Sequence, residues 1–417
     1  MNPQTRLFGM PAEKGRWVFV GVGFLINLCM GANFSYSVFR KPLESLYQIG
    51  ATQSGLPFTF YLASFVLFTL IASRYIERLG PEKAIRIGAV IIALGWISAG
   101  FAPNITALSI LYGIVGGAGV GFTYGSPIAV SSRWFPDKKG LAVGLTLAGY
   151  GISPIMTAPI AGALTGAYGP LVAFRFIGCG MALLVFISSF FQRFPKDGWA
   201  PCAVAGSGNN PACPDVELKP LEIFQRSSFF GLYTCYFLAA FSGPMAIGIS
   251  SPVGQEVIGL TVVQATGFVA VFAIFNGTGR TLFGYLADQL TPRWASALSF
   301  VIILLASLGM LASKTGDVAL YAICFEAFWL TMGGWIAIAP ASTSTFFGSR
   351  FQVKNYGLVF TAYGLGGICG IVVSGMIKDY FGSYQYAFYP TAAVAILGII
   401  ISLVLLKMPL SSGQPRV

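Results

Sequence analysis

The sequence predicts an all-α membrane protein of twelve transmembrane helices, set out as two halves of six. Three observations predict it: a strongly apolar composition, a succession of spanning-length apolar runs, and loop motifs that recur half a chain apart. Of the 417 residues, 55% are hydrophobic and only 9% are charged. An ordinary soluble domain has about a quarter of its residues charged. There are 52 glycines and 23 prolines, many of them inside apolar runs, where membrane helices tolerate them and use them for close packing.

The apolar runs are approximately 16–40, 52–75, 84–101, 107–131, 140–166, 171–193, 227–250, 261–287, 294–313, 317–346, 355–380 and 385–407. Crossing a hydrocarbon core of roughly 30 Å takes about 20 residues, and the third run is the short one. In lipid each run must be helical, because its backbone groups have only one another for partners. The first run is of full spanning length, so no cleavable signal peptide is expected.

Lys and Arg give the orientation. With the N-terminus inside, the inner segments hold nineteen of the chain's 25 Lys and Arg, and the outer ones hold only Arg40, Lys41, Lys314 and Lys378. Both termini are therefore expected in the cytoplasm of a plasma-membrane protein, the inner membrane in a bacterium. Of the two cations inside spans, Arg175 lies near the outer end of span six and can snorkel to the interface. Between spans six and seven the texture changes to proline, glycine and the run Gly206-Ser207-Gly208-Asn209-Asn210-Pro211. This divides the chain into a six-helix half (1–194), a flexible cytoplasmic linker (195–226) and a second six-helix half (227–417). Within the linker, Leu218 to Gln225 has the pattern of a short amphipathic helix lying on the membrane surface.

Composition also excludes functions. The net charge of +11 sits in short loops and forms no basic patch interleaved with polar readout residues, so no nucleic acid is expected. No glycine-rich loop follows a strand, so no nucleotide is expected. The chain contains no histidine, no metal-ligand cluster and no nucleophile–base pair. An enzyme, a cofactor and a metal are not expected, and any proton coupling must use carboxylates, tyrosines or the substrate itself. A receptor would want a folded soluble module, and none is visible. Five of the seven cysteines lie in apolar spans and read as small hydrophobes. Cys202 and Cys213 share the linker, where thiols stay reduced.

The stretch Thr261–Asp288 carries the sharpest signal, because Arg280 sits inside it. A cation at that depth costs roughly 2.5–3.5 kcal/mol on insertion scales. It reads as the attachment point for an anionic substrate, since a guanidinium matches a carboxylate bidentately. The alternative is a structural cation paired with Glu326 of span ten. Asn276 stands one turn away on the same face, placed to orient Arg280, to donate to the substrate, or to pack helices. Glu326, about nine residues into span ten and roughly 13 Å deep, reads as a proton relay or as a neutral acid bonded to a neighbouring helix. Tyr363 can bond a substrate or pack. Phe360, Trp335, Phe34 and Tyr36 read as cavity wall or core.

The two halves repeat. Glu77-Arg78-Leu79-Gly80-Pro81 follows span two, and Asp288-Gln289-Leu290-Thr291-Pro292 follows span eight. Ser132-Arg133 with Lys139-Gly140-Leu141 follows span four, and Ser349-Arg350 with Lys354 and Gly357-Leu358 follows span ten. A parallel six-plus-six repeat is the architecture of major facilitator transporters, whose site lies near midplane between the halves.

At these residues the whole chain resembles the major facilitator superfamily. Glu77, Arg78 and Asp288 resemble its loop signature and are expected to gate, with Glu77 where Asp is usual. The blocks Arg133-Trp134-Phe135-Pro136-Asp137-Lys138-Lys139-Gly140-Leu141, Ala148-Gly149-Tyr150-Gly151, Phe275-Asn276-Gly277 with Arg280, and Asn355-Tyr356-Gly357 resemble the bacterial oxalate:formate antiporters and the monocarboxylate transporters. The resemblance implies alternating-access transport of a small monocarboxylate of the lactate or pyruvate type. Proton symport is expected, with oxalate–formate exchange as the alternative, by a monomer in the lipid bilayer. It implies that Arg280 holds the carboxylate and that Tyr124 and Tyr150 line the cavity; Tyr363, Trp335 and Phe360 join Asn276 as further substrate-binding candidates from the reading of the residues. Two departures stand out. Tyr363 occupies the place of the antiporter's span-eleven lysine, and Asn276 that of the monocarboxylate transporters' span-eight aspartate. The latter family's span-one lysine is also missing between Arg16 and Phe39.

Overall fold

The computed structural model of the protein describes residues 6–135, 139–195, 218–348 and 351–406. Eleven helices among the described residues are long and apolar enough to cross a membrane. The remaining expected span, the third, is the helix Pro81–Ala99. It is of nearly spanning length, but Glu82, Lys83 and Arg86 occupy its first turns, which is why its apolar run reads short.

Breaks in the spans follow from sequence. Span one runs Trp17–Met30, tightens into a 3-10 turn at Gly31–Ser35, and resumes as Ser37–Tyr47. Span five divides into Lys139–Ile152 and Pro154–Tyr168, because Pro154 has no N–H to offer the carbonyl of Tyr150. Spans eight and nine form the stretch Val262–Ala312, broken at Thr291 with φ 70° and ψ 155°. Gly80, at the matching place after span two, has φ 78° and ψ 158°. Each is followed by a proline at the start of the next helix, where a fixed φ and a missing N–H cost least. The two loop motifs thus share a backbone as well as a sequence pattern. At the second, a β-branched threonine adopts a conformation that favours glycine.

Two features lie outside the long spans. Residues 6–11 form a small hairpin, Arg6–Leu7 against Met10–Pro11, and lead through the short helix Ala12–Gly15 into Arg16, whose Nη1 donates to the Trp134 carbonyl at 3.2 Å. The amphipathic helix expected over Leu218–Gln225 is only a 3-10 turn, Glu222–Gln225. Leu218 is tied instead to spans ten and eleven: its N–H donates to Phe347 O, and Asn355 Nδ2 donates to Leu218 O, both at 3.0 Å. Cys202 and Cys213 lie outside the described residues.

One end of the bundle is closed by polar contacts between the first six spans and the last six. Arg40, at the far end of span one, is only 1% exposed. Its Nη1 donates to Gly248 O of span seven at 3.3 Å, and its Nε donates to Ser54 Oγ of span two at 3.1 Å. Pro252 explains the first contact, since it lacks the N–H that would ordinarily occupy the Gly248 carbonyl four residues before it. Beside Arg40, Glu256 forms ion pairs with Lys41 and Lys378. The helix of span two begins after Gly50 without a capping side chain of its own. Asp379, at the end of span eleven, supplies the cap: its carboxylate accepts from the N–H groups of Ala51 and Thr52 at 2.7 and 2.8 Å.

Loss of a cap costs about 1 kcal/mol, and a charged acceptor sits at the strong end of hydrogen bonds. Asp379→Ala is therefore expected to loosen this end. A cysteine replacing Ile371, which is 1% exposed against Gly55 and Gly248, should react with maleimide several-fold faster in the Asp379→Ala background. An unchanged labelling rate would show that the cap does not hold the closure.

Candidate functional site

Arg280 lies two-thirds of the way along span eight and lines a narrow cavity in the middle of the bundle. Its Nη1 donates to the carbonyl of Leu147 in span five at 2.5 Å, and its Nη2 to Asn276 Oδ1 at 3.3 Å. Among the described residues no carboxylate lies within ion-pair distance of it. The structural alternative, a pair with Glu326, is thus not formed. Asn276 is buried and fully engaged: while Oδ1 accepts from Arg280, Nδ2 donates to Trp329 O of span ten at 3.1 Å. It orients the guanidinium and ties span eight to span ten.

Aromatic rings build the rest of the cavity. Tyr124 of span four and Tyr150 of span five meet edge-on, with centroids 5.7 Å apart. Phe65 of span two packs on both, and Phe34, in the 3-10 turn of span one, meets Tyr150 at 5.1 Å. From span eleven, Phe360 and Tyr363 stack at 5.2 Å and close the opposite wall; Ile336 of span ten completes the lining. No protein group among the described residues hydrogen-bonds the hydroxyl of Tyr124, Tyr150 or Tyr363. Among the described residues that line the cavity, those three tyrosines and Arg280 are the polar ones, and Arg280 is the one that is charged.

The structure thus brings together Arg280, Asn276, Tyr124, Tyr150, Tyr363 and Phe360. Trp335 is a correction. It is fully buried away from the cavity, with its Nε1 donating to Ser299 Oγ of span nine at 3.0 Å and its ring stacked on Tyr236. A step of about 100° per residue puts Ile336 on the cavity and Trp335 behind it. Glu326 also stands outside the cavity. It is ten residues from Ile336, about 15 Å along the helix, on a half-buried face beside Ile323, which is 63% exposed. Of the expected gating residues, Arg78 is exposed at the end of span two. The side chains of Glu77 and Asp288 lie outside the described residues. Phe65 and Ile336 carried no signal in the sequence, being apolar residues in apolar spans.

The sequence matches the Major Facilitator Superfamily over residues 22–350. The chain belongs to that superfamily. The transporter is 28% identical over 403 residues to the oxalate:formate antiporter of Oxalobacter formigenes, covering 95% of this chain and 92% of that one. It is 24% identical over 403 residues to monocarboxylate transporter 11 of Mus musculus, covering 94% and 87%. Among solved structures, it superposes on a bacterial homologue of the human lysosomal transporter Spinster with a TM-score of 0.71. That match covers 94% of this chain and 96% of the other at 15% identity, and it speaks for the fold alone. Composition, fold and family agree on a multi-pass membrane transporter.

Proposed function

We propose that the transporter carries small monocarboxylates of the lactate or pyruvate type, together with a proton, by alternating access. One observation carries this reading: among the described residues, a single guanidinium with no carboxylate partner lines a cavity otherwise walled by Phe, Tyr and Ile336 side chains. A monoanion paired with Arg280 leaves the site near neutral, and the tyrosines can bond a hydroxyl or keto oxygen. A dianion leaves one carboxylate uncompensated in a low-dielectric site, at a cost of several kcal/mol. The similarity to the oxalate:formate antiporter favours exchange as a second reading. Against it stands Tyr363, which brings no second cation.

The moving parts in this proposal are the segments 1–194 and 227–417, joined by the linker 195–226, working as a monomer. With both termini in the cytoplasm of a bacterial inner membrane, the end closed by Arg40, Glu256 and Asp379 faces outward. Those contacts break when the carrier opens to the outside. Glu77, Arg78 and Asp288 gate the opposite end.

For the proton, arginine hardly deprotonates, so the acceptor is Glu326 or a tyrosine-linked water. The distance of Glu326 from Ile336 along span ten favours the latter. The test is uptake of labelled lactate into proteoliposomes with and without an inward proton gradient. Uptake should rise as the outside pH falls, and Glu326→Gln should keep that response if a tyrosine-linked water is the acceptor. Uptake that is indifferent to the gradient but stimulated by internal oxalate or formate would replace symport with exchange.

A further inference from the structure

The guanidinium of Arg280 rests on one turn of span five that meets it with a backbone carbonyl and a glycine, beside the ring of Tyr150. Leu147 presents its carbonyl to Nη1 at 2.5 Å. One turn later, Gly151 leaves room for the rest of the group. A Cβ on Gly151 would lie 2.9 Å from Asn276 Oδ1, 3.2 Å from Arg280 Nε and 3.3 Å from its Cζ. The neighbouring Gly149 faces elsewhere, where a Cβ would meet Phe24 O of span one at 2.2 Å. From behind, span ten presses just as closely: a Cβ on Gly333 would come within 2.0 Å of Asn276 O. The Asn276–Arg280 turn is thus gripped between two helix surfaces, each bare at its glycine, one from each side of the chain's repeat.

We infer that Gly151 is a positioning residue for the carboxylate site: the Leu147 carbonyl and the missing side chain of Gly151, one turn apart on span five, set where the fork of Arg280 lies. This rests on the reading that Arg280 holds the substrate. Tight interiors transmit displacements of a few tenths of an ångström, and bidentate pairing depends on the alignment of two parallel bonds. The seat is in span five and the arginine in span eight, so the fork is held in place only while those two spans touch. In this structure they also meet at Gly277 against Ile152 and at Gly162 against Thr266.

The test compares Gly151→Ala with Gly144→Ala, a site on the same helix where a Cβ meets nothing within 4 Å. Two readouts are taken on purified full-length protein. The first is binding of labelled lactate. Gly151→Ala should weaken it about tenfold, a shift of about 1.4 kcal/mol, while Gly144→Ala binds like the unmodified protein. In an Arg280→Lys background, where the planar group is gone, adding Gly151→Ala should change binding less than twofold. A full tenfold effect there would overturn the inference, because the glycine would then act on something other than the fork. The second readout needs no substrate: the rate at which a dicarbonyl reagent modifies Arg280, followed by mass spectrometry of its peptide. That rate should change several-fold in Gly151→Ala and not in Gly144→Ala; equal rates in all three proteins overturn the inference. Failure of lactate to bind the unmodified protein, with the modification rates differing as expected, removes the monocarboxylate reading and keeps the positioning one. If Gly151→Ala alone does not fold, the double variant with Asn276→Ala should, since the tightest contact of the new Cβ, 2.9 Å to Asn276 Oδ1, is then relieved. A double variant that also fails to fold places the clash elsewhere and overturns the inference.

Discussion

Arg280→Ala should abolish measurable lactate binding while leaving the protein folded. Removing one partner of a buried charge pair costs about 3–5 kcal/mol, roughly two to three and a half orders of magnitude in affinity at about 1.4 kcal/mol per decade. The folded protein should tolerate the change, because Arg280 pairs with no carboxylate among the described residues and its removal strands no buried anion. It gives up only the bonds to Leu147 O and Asn276 Oδ1. Arg280→Lys keeps the charge but loses the planar fork, so binding should weaken by about tenfold or more. Equilibrium binding to detergent-purified protein, with a thermal melt as the control for folding, reads both. Near-unmodified binding by the alanine variant would mean that the carboxylate sits elsewhere.

The second large effect is expected at Tyr363, which stacks on Phe360 across the cavity from the N-terminal aromatic wall. Tyr363→Lys introduces a second cation into a site that has one. For a monocarboxylate the result is an excess positive charge in a low-dielectric cavity, and transport of lactate should fall by about tenfold or more. For a dianion the same substitution supplies the missing partner, and oxalate should gain affinity by about two orders of magnitude, the several kcal/mol of an unpaired charge. Parallel titrations of both anions against the variant measure the change in selectivity. If lactate and oxalate move together, the charge count is not what selects.

Much of this was legible because a bilayer is an unforgiving solvent. Twelve apolar runs announce helices, since unpaired backbone has no place in hydrocarbon, and the two proline-ended loops announce the repeat. Arg280 was legible through its cost, and Asn276 through its place one turn away. What escaped was direction around the helix axis. The depth of Glu326 could be counted along span ten, but its face could not, and it lies away from the cavity. Trp335 and Ile336 differ by one residue and exchange roles for the same reason. Phe65 left no mark because an apolar ring in an apolar span costs nothing wherever it points. Arg40 counted as an outer cation, yet it is buried. The clue was distant: Pro252 frees the Gly248 carbonyl that Arg40 fills.

The most direct test is competition against labelled lactate bound to the unmodified protein, with pyruvate and oxalate as competitors at the same pH and ionic strength. One guanidinium and three tyrosine hydroxyls predict that pyruvate displaces lactate at comparable concentration, whereas oxalate fails even at about a hundredfold excess. Displacement by oxalate as effective as displacement by pyruvate would contradict the assignment of a single-carboxylate site to Arg280.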